Sequence, residues 1–268
     1  ASEVLSRMPD GLVASIDELD TELRRWRIAG TPQPMELVQL GRSLLSRFDS
    51  DIRDHGVAWR VNELAKIALA GPDAKEAAAQ LASRLAAAME DYSRPGGEFG
   101  DLACTLFKLQ PAIALDAFLS KASKRQNFGF RSRFTARHSP VLQCAPEDAI
   151  LSWVQVDPAS RAPLVAAEIN IIAPQGTSGI QLSPLAHQLL ELASDKRSIL
   201  EAFNKSLHPW QWSGSLSQAL EPFILLLEGL AAHSDATIAN WANENLEHIQ
   251  KRIESDRAID RLSEESFE

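Results

Sequence analysis

The sequence predicts an all-α protein built from paired helices, and three observations carry that expectation. Apolar residues recur at three- and four-residue spacing along almost the whole chain, Pro, Gly and Asp fall where those stripes break, and no stretch shows sustained strand alternation. At 268 residues the chain is long enough to bury a substantial core. Its 45% hydrophobic and 24% charged residues are the balance of a globular domain and argue against disorder.

Taken in order, Ile16, Leu19, Leu23 and Trp26 form the first apolar stripe, and Leu37, Leu40, Leu44 and Phe48 form the second. Val61, Leu64 and Ala68 make the third, and Ala78, Leu81, Leu85 and Met89 the fourth. Four helices therefore fill an N-terminal part, residues 1–97, with breaks at Pro32 and Pro34, at Gly71-Pro72 and at Pro95-Gly96-Gly97. Over residues 98–253 a second pattern appears, in which LFKLQPAIALDAFL, WVQVDPASRAPLVAAEI, LELASDKRSILEAFNKSL and LAAHSDATIANWANENL each read as helix end, corner, helix start. The corners at Pro111, Pro158, Asp195 and Asp235 lie 47, 37 and 40 residues apart, the period of a paired-helix solenoid. Asp157 before Pro158 and Ser183 before Pro184 place a side-chain acceptor at the N-cap and a fixed φ at the first helical position. Ser215 and Gln218 form an S-x-x-Q capping box. Leu164–Ile172 has the look of a short buried strand but reads as helix, and APQGTSGIQ at 173–181 reads as a linker between helix pairs. The last stripe, Ile238, Trp241, Ala242, Leu246, Ile249 and Ile253, ends where a charged tail of residues 254–268 begins.

These units of helix, Asp or Pro corner and helix at about forty-residue spacing resemble HEAT and related armadillo-type α-solenoid repeats. The resemblance implies one continuous, right-handed solenoid of irregular helical hairpins, with long surfaces for interaction and no chemistry of its own. The stretch from HPWQWSG to the final Glu268 is similar to the C-terminal ends of some large bacterial multidomain proteins, including conflict and defence ATPases. It implies that the chain belongs to a longer bacterial polypeptide.

No motif of catalysis is expected. The six histidines stand in no metal-binding spacing, and no glycine-rich run is followed by the Lys of a phosphate loop. Glu244, Glu247, Glu254 and Asp256, interleaved with Lys251, Arg252 and Arg257, read as a solvated helix face. Cys104 and Cys144 are expected as two buried, inert thiols in a reducing cytoplasm. The opening residues lack the pattern of a secretory signal, and the apolar runs are too short to cross a bilayer. Catalytic, cofactor-binding and metal-ligating residues are accordingly expected to be none, with no membrane association.

Binding is where the sequence is informative. The net charge of −9 opposes polyanions, yet from Ala117 through Pro146 there is no Asp or Glu. Lys121, Lys124, Arg125, Arg131, Arg133 and Arg137 supply six positive charges there, around Phe128, Phe130 and Phe134. Setting that strip aside leaves about −15 on the rest of the chain. Guanidinium forks grip phosphates or carboxylates, and a Phe stacks on a base or packs on a partner. Trp210 and Trp212, in HPWQWSG before a capped helix, are a second candidate anchor, because Trp dominates interface energetics. The expectation is a helical scaffold that binds a protein partner. The alternative is a nucleic-acid recognition domain using residues 121–137, as a sensor in antiphage defence.

Overall fold

The computed structural model describes residues 21, 35–46, 55–90, 99–120, 135–136, 139–175, 179–207 and 215–265. They divide into two compact units, residues 1–153 and 154–268, so that the expected boundary after residue 97 falls inside the first. The all-α class holds. Among the described residues no helix is long and apolar enough to cross a membrane.

In the first unit, α1 (Met35–Ser46), α2 (His55–Ala68) and α3 (Lys75–Glu90) carry the stripes read from the sequence. Leu40, Leu44, Val61, Leu64, Ala68, Ala78, Leu81 and Leu85 are all buried. The first stripe, Phe48 and the Pro95-Gly96-Gly97 break lie outside the described residues. α4 (Gly100–Leu109) is the central helix: every residue from Leu102 to Phe107 is buried, and the helix packs against α2, α3 and a 3₁₀ turn at Val141–Cys144. A helix apolar on all sides gains stability only when surrounded, which puts it at the core.

Close approach and satisfied helix ends hold these elements together. A Cβ on Gly41 of α1 would lie 2.9 Å from Leu64 Cδ1 and 3.2 Å from Ala68 Cβ, so a larger residue there would displace Leu64 and crowd the contact of α1 with α2. At Gly71 the chain turns with φ 92°, a conformation glycine adopts without steric cost. The carbonyls left over at the end of α2 are taken by side chains. Arg42 Nε donates to Ala68 O at 2.8 Å, and Gln110 Nε2 donates to Leu69 O and Gly71 O. Arg42 also grips Asp73 at 2.7 Å, which holds that carboxyl below its ordinary pKa. Pro111 opens α5 (Pro111–Leu115), which continues as one π-helical turn at Asp116–Ser120, with Phe118 and Leu119 buried. Two short strands, β1 (Thr135–Ala136) and β2 (Ser139–Pro140), pair antiparallel before the 3₁₀ turn. Trp153, in α6 (Glu147–Val156), is buried and donates its indole N–H to Asp116 Oδ1 at 2.7 Å.

Cys104 and Cys144 overturn the expectation of two thiols, for they form a disulfide, with Cα atoms 5.3 Å apart. Packing of the 3₁₀ turn on α4 brings them together, a contact that 40 residues of separation conceal. A reducing cytoplasm was inferred from free thiols, and the pairing takes that support away.

The second unit starts within α6 and runs through α7 (Pro158–Ala166), α8 (Pro184–Leu192), α9 (Lys196–Phe203), α10 (Leu216–Ala231) and α11 (Ala236–Glu265). All the predicted corners are helix starts. Asp157 accepts from Ser160 N, Ser183 from Ala186 N, Asp195 from Arg197 N and Ser198 N, Ser215 from Gln218 N, and Asp235 from Thr237 N. In α11 the predicted stripe is buried at Ile238, Trp241, Ala242, Ile249 and Ile253, and the helix continues through the charged residues to Glu265.

Two readings are corrected here. Helix stops at Ala166 rather than Ile172, and residues 173–181 are not a linker: β3 (Ile172–Gln175) and β4 (Gly179–Leu182) pair as an antiparallel hairpin. The local cause is the β-branched run Ile169, Ile171 and Ile172 around Asn170, whose side-chain oxygen accepts from Ile172 N and holds the chain extended.

The disulfide closes a loop that contains the whole basic strip. Replacing both cysteines by Ser is expected to lower the unfolding free energy of the first unit by about 2–4 kcal/mol, since cross-linking at this separation removes that much chain entropy from the unfolded state. Urea unfolding with and without dithiothreitol measures it, and identical midpoints would show that the pair constrains nothing.

Candidate functional site

The residues singled out for binding all lie outside the described residues: Lys121, Lys124, Arg125, Phe128, Phe130, Arg131, Arg133 and Arg137 in the strip, and Trp210 and Trp212 before α10. What the structure supplies is the strip's anchorage. Buried Phe118 and Leu119 precede it, β1 lies within it, and β2 and the disulfide-tied turn follow it.

The second unit contains a cleft that sequence reading missed. It has a volume of about 460 Å³, within the range of small-ligand and side-chain pockets. Leu190 of α8, Leu226 and Leu230 of α10 and Ile238 of α11 give it an apolar floor, and Ile180, Gln181 and Leu182 of β4 form one wall. His187, Glu191, Lys196 and His233 stand around the rim.

Gly229 lies in this lining, in the interior of α10. Its position differs from that of Gly41, because a Cβ built on it would meet nothing within 4 Å. Glycine inside a helix costs about 0.5–1 kcal/mol relative to Ala, and no packing within the described chain requires it here. The space beside it belongs to the cleft.

Lys196 fixes one end of the cleft. From the first turn of α9 its Nζ reaches Asp235 Oδ2 at 2.6 Å, so the residue that caps α11 is tied to the start of α9. His233 Nδ1 accepts from Asp235 N, ordering the turn between α10 and α11. The hydrogen bond from Lys196, with that from Thr237 N, holds the Asp235 carboxyl down at about 2. Beyond this bridge a polar groove of about 900 Å³ runs between α9 and α11. There Trp241 donates to Asn204 Oδ1 at 2.8 Å and sets its ring edge against Phe203.

The arrangement offers apolar contact, strand-edge backbone groups and a few rim charges. Among the described residues no group of three or more His, Cys, Asp and Glu could hold a metal ion. No family model, no curated protein and no solved structure matches this chain.

Because the folded pKa of Asp235 lies below its unfolded value of about 3.9, the bridge's contribution is complete above that pH and is lost as pH falls toward 2. Thermal unfolding of wild type and Asp235→Asn between pH 2 and pH 7 should show the variant less stable at neutral pH, with the two converging at the acid end. A constant difference across the range would remove the bridge from the account.

Proposed function

We propose that the protein is a non-catalytic helical-repeat module that binds a protein partner through the cleft of its second unit. One observation carries this reading: Gly229 weakens the interior of α10, fills no close contact, and leaves an apolar-floored cleft open to a partner's side chain. Interfaces use such clefts for aliphatic or aromatic anchors, with a polar rim like the one made by His187, Glu191 and His233.

The finer architectural reading is an irregular HEAT-like solenoid of right-handed type, part of a longer bacterial polypeptide. Its support is that the corners at Pro111, Pro158, Asp195 and Asp235 all begin helices and that α1 with α2, α4 with α5, α8 with α9 and α10 with α11 pack as sequence neighbours.

The second reading, nucleic-acid recognition through Lys121, Lys124, Arg125, Arg131, Arg133 and Arg137, rests on the acid-free, basic run and on the disulfide that closes the loop containing it. Substitutions separate the two. Gly229→Ala should stabilise the protein by about 0.5–1 kcal/mol, while Gly229→Leu keeps the fold and loses the partner retained by wild type in quantitative affinity capture. The triple change Arg131→Glu, Arg133→Glu and Arg137→Glu should leave that partner bound. Capture that depends on the arginines, together with oligonucleotide binding whose salt slope flattens in the triple variant, would replace the first reading by the second.

A further inference from the structure

We infer that the partner enters the cleft as an extended peptide segment, apolar at alternate positions and basic between them, which pairs with β4 as an added third strand. The inference rests on the protein-binding reading above and specifies the chemistry of the occupant. Its basis is an asymmetry between the two edges of the hairpin.

The register pairs Ile172 with Leu182, Ala173 with Gln181 and Pro174 with Ile180, and Ser183 N donates to Ile171 O at 2.8 Å. That bond sets the parity: Ala173 and Gln181 exchange ladder bonds, while Ile172, Pro174, Ile180 and Leu182 turn their backbone groups outward. On the β3 side both outward donors are disposed of. Ile172 N–H is taken by Asn170 Oδ1, and Pro174 has no N–H. On the β4 side, the outward N–H and C=O groups of Ile180 and Leu182 meet no partner among the described residues. Ile180, Gln181 and Leu182 of this same strand line the cleft. Among the described residues, then, one edge is blocked and the other is open, on a strand that borders an apolar floor.

An added strand places every second side chain on one face. Those entering the cleft would meet Leu190, Leu226 and Ile238, passing over the vacant Cβ position of Gly229. Charge selects the alternating residues. The second unit carries sixteen Asp and Glu against eight Lys and Arg, the rim presents exposed Glu191 with His187 Nδ1 3.5 Å from its carboxylate, and Lys196 is neutralised by Asp235. A basic segment is attracted and an acidic one repelled.

The test uses the full chain and a fluorescein-labelled heptapeptide of alternating valine and lysine, read by fluorescence anisotropy. Ile180→Pro reproduces on β4 the block that Pro174 places on β3, at a nitrogen the hairpin does not use, and it should weaken binding by about tenfold or more, whereas Ile180→Ala, which keeps the N–H, should weaken it less. Of two peptides N-methylated on opposite edges, one should bind like the parent and the other should fail. Equal binding by Ile180→Pro and wild type, equal loss by both methylated peptides, or equal binding of a valine–glutamate heptapeptide would overturn the inference. Loss on Gly229→Leu without loss on Ile180→Pro would also overturn it, while leaving the cleft as a protein-binding site.

Discussion

Every short helix begins with backbone N–H groups that its own turns cannot satisfy, and in the second unit that constraint is met by side chains at each corner. Asp195 and Asp235 are the consequential pair. Each caps the helix that follows it, and Lys196, one residue after the first cap, bridges to the second. A single ion pair thus ties the starts of α9 and α11 and sets one boundary of the apolar cleft and of the polar groove. Moving either helix relative to the other would break the bridge, while each cap travels with its own helix.

The hairpin answers the same kind of constraint by different means. Unpaired strand edges invite pairing with other chains, and proteins protect them with proline, local side-chain bonds or covering elements. Here Pro174 and Asn170 protect β3, while β4 borders the cleft with no equivalent device among the described residues. Ser183 joins the two systems, since it donates from its backbone to Ile171 O and from its hydroxyl to Asn170 O, and caps α8 with that same hydroxyl. The residue that ends the sheet also starts the helix contributing Leu190 to the cleft floor.

Much of this architecture was legible in the sequence because it depends on local rules. The apolar stripes of α1, α2, α3 and α11 and the capping residues at 157, 183, 195, 215 and 235 express helical periodicity and orphan-donor chemistry, both of which act within a few residues. The features that were missed depend on distant partners. Nothing near Cys104 signals Cys144, and the helix assigned to Leu164–Ile172 ignored the preference of Ile169, Ile171 and Ile172 for extended backbone. The cleft is assembled from β4, α8, α10 and α11, and its only local signs are Pro174 beside a β-branched run and Gly229 inside a Leu-rich helix. The basic strip and the Trp210–Trp212 pair, conspicuous in composition, fall outside the described residues, so their support is composition, joined for the strip by the disulfide that closes its loop.

An added strand requires β4 to keep an open edge in the free protein, and amide hydrogen exchange followed by NMR addresses this at single residues. Alternation is expected: slow exchange at Ala173 and Gln181, whose N–H groups pair within the hairpin, and fast exchange at Ile180 and Leu182, whose N–H groups point away from β3. Protection of Ile180 and Leu182 equal to that of Gln181 in the free protein would show the edge already occupied, and would contradict the claim.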